Sequence, residues 1–156
     1  MMQTSDISAI FKRELNKLKE EVASYKAEPD VWKIPPGVLN SGGTLCLHIC
    51  GNLNHFVGAV LGKTGYIRNR EKEFSARNIP KAALIIEIEQ TAAVVGKTLN
   101  SLTDEDLHRD YTALPPQVAA NEKWTAFYFL IHLIAHLDYH IGQVNYHRRI
   151  VSGIVK

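Results

Sequence analysis

Ile131-His132-Leu133-Ile134-Ala135-His136-Leu137-Asp138-Tyr139-His140-Ile141-Gly142-Gln143 sets three histidines at four-residue intervals inside one of the most apolar stretches of the chain. At about 100° of turn per helical residue, His136 and His140 stand roughly 40° apart and one turn above each other, so both imidazoles can reach a single ion. Gln143 and His147 fall within about 20° of His136 on the same stripe. An imidazole stranded among hydrocarbon gives up its hydrogen bonds to water at a cost of roughly 1–3 kcal/mol. Several on one stripe therefore call for a shared partner, and neutral imidazole is the commonest protein ligand for zinc, nickel, copper and iron.

The rest of the chain supplies the frame for that stripe. Its 156 residues, 46% apolar and 22% charged, suffice for one domain over residues 1–156 with a full hydrophobic core. The 18 basic and 16 acidic residues leave a net charge of +2, and neither sign gathers into a block of the kind that binds nucleic acid. The first turns mix Lys, Arg and Glu with no apolar leader, and the most hydrophobic segment, Trp124 to Leu137, is shorter than the ~20 residues that cross a bilayer. The expectation is a cytosolic protein without nucleic-acid or membrane partners. Cys46 and Cys50, one helical turn apart, are too widely set for a relaxed disulfide and read as reduced core thiols.

Periodicity predicts four long helices. Ile7, Phe11, Leu15, Leu18, Val22 and Tyr25 mark the first, from about Ser5 to Lys26. A proline-bearing loop, Glu28 to Gly43, carries Trp32 as a candidate pocket wall. The second helix runs from about Ser41, with Asn40 or Ser41 as cap, to Leu61, and Gly62 stops it. An Arg-rich loop, Gly62 to Asn78, precedes a third helix that starts at Pro80, buries Leu84, Ile88, Val95, Leu99 and Leu102, and ends near Leu102. Thr103 can cap one short turn, and Leu114-Pro115-Pro116 enforces another loop. The fourth helix spans about Asn121 to Val151, with Gly153 as its stop. The pattern predicts an all-α four-helix bundle, and its long loops allow crossover connections.

Two imidazoles supply half of a tetrahedral shell, so a further donor must come from another helix. His48 is the best candidate, midway along the second helix among apolar residues, with Asn52 and His55 on its face to within about 40°. Cys46 and Cys50 project about 160° away and cannot easily share its ion.

A histidine midway along the second helix, followed far downstream by His-x-x-x-His-x-x-Gln on the fourth, resembles the DinB/YfiT-like family. The strings Trp32-Lys33-Ile34-Pro35-Pro36-Gly37, His48-Ile49-Cys50-Gly51-Asn52 and Ile67-Arg68-Asn69-Arg70-Glu71-Lys72-Glu73-Phe74 resemble one branch of it. The resemblance covers nearly the whole chain. It implies a four-helix bundle with a crossover connection and metal ligands His48, His136 and His140, with water or substrate completing the shell. It also implies a divalent ion, zinc or nickel foremost, a homodimer, and a small-molecule substrate. Members of the family include S-transferases that use low-molecular-weight thiols.

His132 continues the ladder but lies about 80° from His140, which suits a supporting role. His55 and His147 are expected to line the pocket, and Gln143 to hold a bound water or a ligand histidine through its amide. Leu137 stands where a zincin protease carries its glutamate, and Asp138 is expected to face solvent. Glu105-x-x-His108 is a single motif where a di-iron bundle needs two. Arg68, Arg70 and Glu73 read either as a solvated loop or, for the arginines, as partners for the carboxylate of an anionic thiol, with Trp32 over the same mouth or packed on the first helix. The leading expectation is a metal-dependent thiol S-transferase or hydrolase. The other is a non-catalytic bundle that binds a metal or small ligand.

Overall fold

The computed structural model describes residues 3–116 and 123–153. Helix α1 spans Thr4–Ala23, α2 Gly42–Leu53, α3 Arg70–Ser75, α4 Lys81–Ser101, α5 Asp104–His108 and α6 Ala126–Val151. A 3-10 turn covers Glu28–Trp32, and α2 runs on without a break as a π-helix over Asn54–Leu61. The architecture is all-α, and α1, α2, α4 and α6 are its four long helices.

Local chemistry sets the ends. Ser41 Oγ accepts from the Thr44 amide and caps α2, and Gly62 closes its π-helical extension. Pro80 precedes α4, and Thr103 forms a reciprocal capping box with Asp106 at α5. Thr125 caps α6, and Gly153, at φ +66, follows its last turn. Of the expected start of this helix, residues 121 and 122 lie outside the described residues, and residues 123–125 are not helical, Thr125 instead bridging to Asp110 and capping the helix.

Side-chain contacts fix how the helices run. Glu21 of α1 accepts from Asn145 and Arg148 of α6 at 2.8 and 2.7 Å, and the Glu14 carboxyl neighbours that of Asp138, so α1 and α6 are parallel. Lys19 pairs with Glu89 at 3.3 Å and Lys81 Nζ donates to the Tyr25 carbonyl at 2.9 Å, which makes α4 antiparallel to α1. Gly42 lies against His147 and the Phe56 ring meets Phe129 at 5.3 Å, so α2 and α6 are antiparallel. Asn54 donates to Thr91 at 2.9 Å and Gly62 lies against Thr98, so α2 and α4 are parallel.

Both α1 and α2 pack on α4 and α6, and they barely touch each other. They therefore hold opposite corners. Parallel neighbours cannot be joined by a short turn, and the chain from Gly62 to Pro80 returns along the bundle with α3 packed on α2. The expected crossover is this return, and it carries Arg68, Arg70 and Glu73 back beside the middle of α2.

The buried apolar residues form one cluster that all four long helices feed. Every residue of the α1 stripe read from sequence is at most 1% exposed. Among the described residues, the stretch Gly42–Leu61, rather than Trp124 to Leu137, is the one helix long and apolar enough to cross a membrane by composition. Its window is 72% buried in the bundle, which accounts for the apolarity. Cys46 and Cys50 are both free and buried.

Two elements depart from expectation. The Gly62–Asn78 segment, expected as loop, contains α3, whose Asn69 side chain accepts from the Lys72 amide. After Leu53 the helix widens, with the Gly62 amide reaching back to the Val57 carbonyl at 2.9 Å. Angular offsets reckoned at about 100° per residue no longer hold there, and wide turns of this kind occur often at functional sites.

Candidate metal centre

The antiparallel pairing of α2 and α6 brings His48 between His136 and His140, with ring centroids 5.3 and 5.2 Å away. One nitrogen from each of the three imidazoles lies within 4.8 Å of the others. His136 Nε2 and His140 Nε2 face each other at 3.1 Å. With metal–nitrogen bonds of about 2.0–2.1 Å, tetrahedral donors stand about 3.3 Å apart, so this pair already has the spacing of two ligands of one ion.

The opposite ring nitrogens show which tautomers are set. Glu73 Oε2 lies 3.0 Å from His48 Nδ1, and an ionised carboxylate only accepts, so Nδ1 carries a proton and Nε2 is left as the nitrogen that could bind an ion. Gln143 Oε1 does the same for His140 Nδ1 at 2.7 Å. A polar acceptor behind each of these two rings orients it and raises its basicity toward a metal.

Glu73 is itself held. Arg68 donates through Nε to Oε1 at 2.7 Å and through Nη2 to Oε2 at 2.8 Å, a bidentate clamp. Burial by itself pushes the Glu73 carboxyl up, but Arg68 and His48 outweigh it and hold it below the ordinary range. The clamp needs Gly51, where a Cβ would overlap the Glu73 carboxylate. Charge in α3 is therefore part of the centre, and Arg68, with a side chain only 13% exposed, is no solvated loop residue.

Burial drives the His136 imidazole down to about 3, helped by His140 and His48. His140 is also lowered by burial, with its bond to Gln143 opposing. Near neutral pH both rings are uncharged, as ligands must be. The residues thus fit a divalent ion: three converging imidazoles, one buried and two half-buried, with acceptors behind two of them.

Beside His48 lies a cavity of about 540 Å³. The α2 side contributes His48, Asn52, His55 and Phe56, the return segment Arg68 and Arg70, and the far wall is residues 113–116. Tyr111 anchors that wall by donating to the Phe56 carbonyl at 2.7 Å. Asn52 Oδ1 and His55 Nδ1 are buried without a hydrogen-bond partner. No carboxylate lines the cavity among the described residues.

The remaining residues singled out from sequence fall elsewhere. His147 is in the core, between the Tyr25 hydroxyl at 2.6 Å and the Lys33 carbonyl at 2.8 Å. It lines a separate cavity of about 340 Å³ with Gln143 and Tyr146, not the one beside His48. His132 stacks on Phe129 at 5.7 Å and stands outside the three-nitrogen group. Trp32 covers no mouth. Its ring closes over Gly43, where a Cβ would come within 2.7 Å, and its Nε1 donates to the Ile79 carbonyl at 3.1 Å. Arg70 is exposed, over the Phe74 ring at 5.0 Å. Asp138 is exposed as expected. Glu73 is the residue that sequence reasoning placed only in a charged cluster, and the 113–116 wall was read only as a loop.

A family model described as a protein of unknown function (DUF1572) matches residues 6–153. Among solved structures, the conserved protein of locus from Enterococcus faecalis superposes with a TM-score of 0.74 at 18% identity, over 98% of this chain and 99% of that one. At that identity the likeness speaks for the fold. No curated protein matches the chain.

Proposed function

This chain belongs to the DUF1572 family, and we propose that it is a metal-dependent enzyme of the DinB/YfiT-like type in which His48, His136 and His140 hold one divalent ion, zinc or nickel foremost. The observation that carries this reading is the convergence of three imidazole nitrogens within 4.8 Å. An ion there supplies Lewis acidity, which keeps a thiol ionised and nucleophilic near neutral pH.

The chain's own groups favour thiol transfer over hydrolysis. A hydrolase needs a base to take a proton from water; the cavity offers no carboxylate among the described residues, and burial lowers the basicity of His55, whose Nδ1 is the unpartnered nitrogen it does offer. Glu73, the nearest acid, is locked by Arg68 and poorly basic. Arg70 stands free of any carboxylate partner among the described residues and suits the carboxylate of an anionic thiol. The apolar wall of Leu114, Pro115 and Pro116 suits the body of a small electrophile.

The test is a panel of low-molecular-weight thiols and electrophiles with zinc- and nickel-loaded protein beside His136→Ala. Turnover in the wild type that is lost in the variant supports the proposal. Inactivity across both metals and the whole panel would instead favour a non-catalytic bundle that binds a metal or small ligand for sensing or storage, a reading the lack of a cavity carboxylate among the described residues also supports. A cytosolic homodimer completes the proposal. Exposed Tyr128, Tyr139, Tyr146 and Ile150 along the outside of α6 are the surface it would use.

A further inference from the structure

Among the described residues, four buried side-chain polar atoms lack a hydrogen-bond partner: Glu14 Oε2, Asn52 Oδ1, His55 Nδ1 and Ser152 Oγ. Glu14 Oε2 is 2.7 Å from the Lys17 ammonium and so is compensated by charge. Asn52 and His55 both line the cavity beside His48, and Asn52 is only 7% exposed. A buried amide oxygen with no donor is uncommon and calls for an explanation. Exchanging the amide oxygen and nitrogen would put a buried donor in the same place, so a partner is wanted in either orientation.

Position suggests the partner. Two facing antiparallel helices each present a pair of residues one turn apart, His136 and His140 on α6, His48 and Asn52 on α2. His48 sits between the two α6 rings, and Asn52 is the next residue on its face. We propose that Asn52 Oδ1 is a fourth protein donor to the ion, giving three imidazole nitrogens and one amide oxygen. This rests on the three-histidine centre proposed above and goes beyond it. A carbonyl oxygen hardens the shell, and four protein donors leave an exchangeable position only when coordination exceeds four.

Cobalt(II) titration of the full chain with a competing chelator, read by visible absorption, tests this in wild type, Asn52→Leu, Asn52→Asp and His136→Ala. The expected result is cobalt binding weakened about 10-fold or more in Asn52→Leu with displaced d–d bands, and largely restored by Asn52→Asp, which returns an oxygen to the position. Leucine is close to asparagine in shape, and the metal-free melting temperature of Asn52→Leu is expected to equal or exceed that of the wild type because the unpaired amide is gone. Wild-type affinity and spectrum in Asn52→Leu, with binding lost in His136→Ala, would overturn the fourth donor and leave the three-histidine centre standing. No cobalt binding by the wild type would overturn both.

Discussion

Glu73 ties the charged return segment to the three histidines: Arg68 fixes the carboxylate, the carboxylate fixes the His48 tautomer, and Gly51 leaves the space for it. Glu73→Gln is expected to weaken metal binding roughly 10–100-fold while the fold persists, read by chelator competition. Gly51→Ala should act on the same bond by displacing the carboxylate, so the double variant should fall well short of the two losses combined. His136 makes a pH prediction. Its folded value is lowered from 6.5 to about 3, so as pH falls below 6.5 the unfolded chain takes a proton that the folded ring refuses, and the metal-free fold loses stability across that window. Thermal melts of metal-free protein between pH 7 and 5 should show the decline, and His136→Asn should make it shallower, the other histidines lowered by burial supplying the rest. At this scale the histidines were legible because helical spacing within α6 speaks for itself. Glu73 was not, because it lies 25 residues from His48 and its burial follows from a chain reversal that no local pattern records.

Boundaries with a chemical signal were legible among the elements. Ser41, Gly62, Pro80, Thr103 and Gly153 all stand at or next to helix ends as read. Ser41→Ala removes the acceptor for the Thr44 amide and is expected to cost about 1 kcal/mol, roughly 2–4 °C in melting temperature for a chain of this length, measurable by circular dichroism. α3 escaped because six residues with one buried side chain, Glu73, carry no apolar period. The π-helical turns after Leu53 escaped for a related reason: apolar residues are so dense from Phe56 to Leu61 that no face stands out, and a change of pitch leaves no mark. That change lies directly after His48 and Asn52, at the cavity that holds both.

For the whole molecule, helix number and class follow from the sequence, but the order of corners does not. Loop lengths pointed to a crossover, and only long-range contacts such as Asn54 with Thr91 and Glu21 with Arg148 show that the return after α2 is the one. The proposed dimer is checked by light scattering coupled to gel filtration: two chains per particle in the wild type, and one in a Tyr139→Glu, Tyr146→Glu variant. A single-chain wild type would remove that part of the proposal. Bound metal at 100 times its dissociation constant should stabilise the fold by about 2.7 kcal/mol. The most direct measurement is the metal content of tag-free protein by mass spectrometry, wild type beside His48→Ala, His136→Ala and His140→Ala. A bundle built around an ion should carry about one equivalent and lose it in each variant. Metal-free wild type that takes up neither zinc nor nickel would contradict the metal centre and leave the three histidines as core residues.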